Sequence, residues 1–140
     1  MENSRFLKDG ISIQKNVMGK PMEVCSVQPM TGFYRDGYCH SSREDRGSHT
    51  VACQVTSDFL EFSKAVGNDL STPLPIYGFP GLRPGDKWCL CAQRWQQAFQ
   101  NYKAPMVLLA GTNEMALEHI KLDDLKSMAL DLEVFGEKAK

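Results

Sequence analysis

A chain of 140 residues, 42% apolar and 24% charged, has the length and composition of one ordinary domain that buries its own core. Sixteen Lys and Arg stand against seventeen Asp and Glu for a net charge of −1, and the two halves of the chain are each near neutral, so no basic face for nucleic acid is offered. The longest apolar run, Met106 to Gly111, is far short of a membrane span, and Met1 to Gly10 has no apolar stretch of signal-peptide length. A soluble, cytoplasmic protein without a membrane partner is the expectation. Five cysteines, an odd number, then favour free or metal-bound thiols over a disulfide framework.

In chain order, residues 1–15 read as an irregular lead-in with a short strand at Ile11–Ile13 after the Asp9-Gly10 turn signal. Residues 16–135 read as a single α+β domain and residues 136–140 as a frayed tail. Asp36-Gly37, within Phe33 to Cys39, suits either a hairpin turn or a structured loop. Thr50 to Val55 is β-branched and alternating, as a strand requires, and Thr56 or Ser57 can cap the helix that follows, with Phe59, Leu60, Ser63 and Val66 on one side and Gly67 as its stop. A long loop with Pro73, Pro75, Pro80 and Pro84 comes next, and loops of that length are more often functional or tightly packed than idle.

Lys87 to Tyr102 admits two readings. A helix from Asp86 would leave Leu90 in solvent, whereas a strand from Lys87 to Cys91 leading into a helix from Ala92 buries Leu90 and sets Cys89 and Cys91 on the opposite face from Trp88. The second is preferred, and it places Cys91 at a helix start, where unpaired amides and the helix dipole favour a thiolate. Trp95 continues a stripe through Ala98, Phe99 and Tyr102 and reads as core. Beyond Pro105, Met106 to Ala110 reads as a strand, Thr112 as the cap of a helix over Glu114 to Glu118, and Leu122 to Leu132 as a helix. The whole gives a small mixed sheet with three or four helices and long ordered loops.

The runs Asn16-Val17-Met18-Gly19, Thr31-Gly32-Phe33-Tyr34-Arg35-Asp36-Gly37 with Cys39, Gly47-Ser48-His49-Thr50-Val51, Gly67-Asn68-Asp69-Leu70-Ser71-Thr72-Pro73, Tyr77-Gly78-Phe79-Pro80-Gly81-Leu82 and Trp88-Cys89-Leu90-Cys91-Ala92 follow one another in a specific order. By these motifs the chain resembles the bacterial domain of unknown function 2237 family over most of its length. The resemblance implies no assigned reaction, cofactor or catalytic residue. In the pattern it implies, a cysteine stands at the position of Ala52 and an amide at that of His40, while Cys25, Cys39, His49, Cys89 and Cys91 fit. Moving a thiol by one residue along a strand moves it to the other face, which sets Cys53 and His40 apart from any shared site.

Three site chemistries follow from these residues. A sulfur-rich metal site would draw on Cys39, Cys89 and Cys91 with Cys25 or His49, a set that zinc or iron accepts, although neither cysteine spacing is that of a zinc knuckle and buried apolar cysteines are the competing reading. Thiol chemistry would use Cys89 or Cys91 as nucleophile and His49 as base; a disulfide between these two neighbours is disfavoured by strain across one intervening residue. A binding pocket for a small polar or anionic ligand would be lined by Tyr34, Arg35, Asp36, Tyr77, Trp88 and Arg94. Nucleotide-binding glycine motifs, the zinc-protease His-Glu-x-x-His and the Gly-x-Ser-x-Gly elbow are all missing from the sequence. Glu44-Asp45 and Asp123-Asp124 read as solvated acids rather than acid–base catalysts. The expected active region is where the Phe33 to Cys39 loop, His49 and the Gly78 to Cys91 loop meet.

Overall fold

The computed structural model of the chain describes residues 14–137, so the strand expected at Ile11–Ile13 lies outside the described residues. Strand β1 (His49–Gln54) is the centre of a three-stranded antiparallel sheet, flanked by β2 (Lys87–Cys91) and β3 (Met106–Val107). Helices α1 (Ser57–Ala65), α2 (Ala92–Gln100) and α3 (Leu122–Ser127) complete the α+β architecture that the sequence predicts, joined by long ordered loops. The only parallel pairing among the described residues is a single bridge between Val107 and Ala129.

Alternation along β1 and β2 divides the interior in two. Val51, Cys53 and Val55 face the main core together with Trp88 and Leu90, while Ala52 and Cys89 face a second, smaller cluster with Met22, Cys25 and Cys39. Helix α1 begins where Thr56 accepts a hydrogen bond from the Phe59 amide at 3.1 Å, and it stops before Gly67, which takes a φ of +95°. Lys87 to Tyr102 adopts the strand-then-helix form. Helix α2 buries Ala92, Trp95 and Ala98, and Trp95 stacks on Phe99 with ring centres 5.0 Å apart while its indole N–H donates to the Pro105 carbonyl at 3.2 Å.

The last third departs from the pattern that periodicity suggests. The strand expected over Met106 to Ala110 ends at Val107, because the Leu109 and Ala110 amides turn to the carboxylate of Asp131, at 2.8 and 2.9 Å. That same carboxylate belongs to the stretch expected to be helical up to Leu132; α3 instead stops at Ser127 and the chain resumes as a 3₁₀ turn over Leu132–Phe135. Glu114–Glu118 is a 3₁₀ turn capped by Asn113 rather than by Thr112, whose hydroxyl instead accepts from the Ala52 amide at 3.1 Å and donates to the Leu108 carbonyl at 2.8 Å. Tertiary hydrogen bonds thus take residues that local propensity assigns to regular elements. Phe33 to Cys39 is a structured loop, with Arg35 at a φ of +54° and Gly37 at +90°.

Leu90 is 1% exposed in the main core and Ile76 is 86% exposed on the proline-rich loop. Leu90→Ala is expected to lower the unfolding free energy by about 2–5 kcal/mol, and Ile76→Ala to leave it within about 0.5 kcal/mol; urea denaturation of the two variants side by side measures both.

Candidate functional site

Pairing of β1 with β2 is regular from Gln54↔Lys87 to Val51↔Leu90, then slips by one residue, so that His49 rather than Thr50 stands opposite Cys91. Thr50 is the extra residue of a β-bulge, and Ser48 beside it has a φ of +50°. Bulges re-aim side chains, and this one brings an imidazole across from a thiol; directly opposed residues have Cβ atoms roughly 4.5–5.5 Å apart. Behind His49 lies Asp45, whose side chain is buried: its carboxylate accepts from the His49 amide at 2.8 Å and meets the ring Nδ1 at 2.6 Å. Gly47 leaves room for the ring, since a Cβ there would come within 2.8 Å of the His49 Cε1. With Asp45 ionised, Nδ1 carries the hydrogen and Nε2 is left as the basic nitrogen. Asp45 is thus a correction to its reading as a solvated acid: the Asp45-x-x-x-His49 spacing across Gly47 was the available signal, and only the turn shows that the pair closes.

His49 and Cys91 open on a cleft of 420 Å³. Its walls include Gly32, Phe33 and Arg35 from the first loop, Asn68 and Leu70 after α1, Trp88 to Cys91 of β2, and Arg94 of α2. The Arg35 guanidinium donates to the Gly32 carbonyl at 2.6 Å and lies 5.5 Å from the centre of the Trp88 ring. Arg94 donates to the Val66 carbonyl at 3.3 Å and to Gln97 Oε1 at 3.2 Å. Among the described residues neither guanidinium is paired with a carboxylate. Among the described residues, Arg35 and Ser48 are also two of the three non-glycine residues with positive φ, and both border this region, where the surrounding packing must hold the less favourable backbone.

Three of the residues expected to line a pocket with these do not. Tyr77 is 77% exposed on the 3₁₀ turn Pro75–Tyr77, and Tyr34 packs edge-on against Phe33 outside the cleft. Asp36 turns inward to the buried His40, meeting its Nδ1 at 2.9 Å, because a buried imidazole needs a polar partner.

The cysteines divide differently from expectation. Cys39 and Cys89, 50 positions apart in sequence, form a disulfide with Cα atoms 5.3 Å apart, a correction to the expectation of free or metal-bound thiols. Cys89 is therefore not a free nucleophile, and of the Cys89–Cys91 pair only Cys91 carries a thiol. The third sulfur beside the disulfide is Cys25: the Cys25, Cys39 and Cys89 sulfurs all lie within 4.8 Å of one another, a cluster that can hold a metal. His49 and Cys91 are not members of it, because the bulge carries them to the cleft. Cys53, one residue from Ala52, faces the main core, where its Sγ lies 3.4 Å from the Trp88 carbonyl. Burial pushes the Cys25 thiol up to about 12, with Lys87 opposing the shift, and burial raises Cys53 well above the ordinary thiol range.

The fold and cleft describe a small α+β domain with a disulfide-bonded sulfur cluster on one side of its central strand pair and a cationic cleft at the end of that pair. The chain belongs to the family described as "Uncharacterized protein conserved in bacteria (DUF2237)", whose model matches residues 15–129. No curated protein matches the chain. Among the described residues no helix is long and apolar enough to cross a membrane.

A cross-link spanning 50 residues restricts the unfolded chain, so reduction is expected to lower the unfolding free energy by roughly 4 kcal/mol, on the chain-entropy account; urea unfolding with and without a phosphine reductant tests this. Cys25 and Cys53 ionise more readily in the unfolded chain than in the folded one. The contribution of the neutral Cys25 thiol is complete below about pH 9 and is lost as pH rises toward about 12, at up to about 1.4 kcal/mol per pH unit, and Cys53 acts in the same direction. Unfolding free energies measured between pH 8 and pH 10 are expected to fall less steeply in Cys25→Ala than in the parent.

Proposed function

We propose that the cleft binds a small anionic molecule and that Cys91 is its reactive thiol. The observation that supports this reading most directly is the bulge at Thr50, which sets His49, backed by the buried Asp45, opposite Cys91. Asp45 fixes the ring orientation and the tautomer, with the hydrogen on Nδ1, so that the neutral ring presents Nε2 to take the thiol proton and the imidazolium formed is stabilised by the carboxylate behind it. The Cys91 sulfur then bonds to an electrophilic carbon of the bound molecule, whose leaving group departs with the bonding electron pair. Arg35 and Arg94 supply positive charge on the walls of the same cleft, and Asn68 adds an amide for orientation. Trp88 gives one apolar wall, held in place by the Arg35 guanidinium against its ring.

Charge and reactivity are read together by comparing iodoacetate, an anion, with iodoacetamide, its neutral analogue, on the non-reduced protein. Cys91 is half-buried whereas Cys25 and Cys53 are buried, so Cys91 is expected to be alkylated first, as peptide mass mapping would locate. Relative to a free cysteine peptide, the iodoacetate-to-iodoacetamide rate ratio should be raised at Cys91, and Arg35→Ala or Arg94→Ala should each reduce it by about threefold or more. His49→Gln is expected to slow both reagents by roughly tenfold. Equal preference in parent and arginine variants would refute anion binding, and an unchanged rate in His49→Gln would refute the base.

A further inference from the structure

We infer that Cys25, Cys39 and Cys89 form, once the Cys39–Cys89 disulfide is reduced, a three-thiolate site for a single zinc-type ion, independent of the chemistry of the cleft. The sulfurs already lie within 4.8 Å of one another. Thiolates bound to zinc at about 2.3 Å in tetrahedral geometry are separated by roughly 3.8 Å. Once the Cys39–Cys89 bond is broken, rotation of the two side chains on their fixed backbones lets the sulfurs take that spacing.

The backbones are indeed fixed. The Cys25 amide donates to the Gly37 carbonyl at 2.7 Å, the Cys89 amide to the Thr31 hydroxyl at 2.8 Å, and the Cys39 carbonyl accepts from the Asn113 side chain at 3.1 Å. None of these bonds involves the disulfide, so the three positions are held from three directions whether or not the sulfurs are joined. Donor chemistry selects the ion: the cluster contains three cysteines and the thioether of Met22, with no carboxylate or imidazole, which suits a soft or borderline cation and disfavours magnesium or calcium.

The two states exclude each other. In the oxidised protein a single free thiol, Cys25, is left in the cluster. Reduction by a dithiol transfers two electrons and two protons to the disulfide, leaves the reductant as its own disulfide, and frees Cys39 and Cys89 as thiols. Binding of a zinc ion then releases three protons as the three Zn–S bonds form, and a water molecule or Met22 takes the fourth position. The ion would replace one covalent cross-link among these segments by three coordinate bonds.

The test uses the Cys53→Ala, Cys91→Ser double variant, so that only the three cluster thiols remain. It is reduced with a phosphine, desalted without oxygen and titrated with cobalt(II), whose sulfur-to-metal charge-transfer absorption counts thiolates, and then with zinc to displace the cobalt. One equivalent is expected to bind, with an absorption of about three thiolates, and the oxidised protein is expected to bind none. Adding Cys25→Ser is expected to weaken binding by about 100-fold or more. No binding by the reduced, folded protein, or binding unaffected by Cys25→Ser, would overturn the site. Should reduction alone unfold the chain, zinc is expected to restore the native near-ultraviolet circular dichroism, and failure to do so would equally overturn it.

Discussion

The antiparallel pairing of β1 with β2, regular for four residue pairs and then broken by one bulged residue, is the constraint on which the rest of the molecule depends. In the regular part, alternation sends Trp88 and Leu90 into the main core and Cys89 into the smaller cluster. At the bulge, the register changes by one and His49 meets Cys91. A continuous ladder would have put Thr50 there instead, and the imidazole would have no thiol across from it.

Two groups of polarizable and titratable side chains therefore lie a few residues apart along the same strand and are chemically separate. Cys89 belongs to a dry cluster in which apolar burial holds the neighbouring Cys25 thiol protonated. Cys91, at the junction of strand and helix, lies on a cleft wall beside Arg94, His49 and Trp88. Asp45 ties the cleft to the turn before β1: by accepting from both the amide and the ring of His49, it fixes the entry of the strand and the orientation of the imidazole at once.

Much of the architecture was legible because its signals are local. Thr56 followed by Asp58 marks a helix start, Gly67 its stop, and the position of Leu90 decides between strand and helix, since only a strand buries it. The last third was less legible because Asp131 and Thr112 hydrogen-bond to backbone groups distant in sequence, Asp131 to residues 21 and 22 positions away and Thr112 to Ala52 at a separation of 60. Such bonds leave no trace in periodicity. Of the candidate pocket, Arg35, Trp88 and Arg94 meet His49 and Cys91, whereas Tyr34, Asp36 and Tyr77 turn elsewhere.

By itself, the sequence determined the class of fold, the strand-to-helix junction at Cys91 and the set of residues from which any site must be drawn, because alternation, capping and burial act within a few residues. Only the tertiary structure decided which sulfur joins which, since the choice among five cysteines depends on backbone segments 50 positions apart being brought within bonding distance. It also decided that His49 belongs with Cys91 and Asp45 rather than with the sulfur cluster, because one bulged residue resets the register that otherwise governs every side chain along the strand.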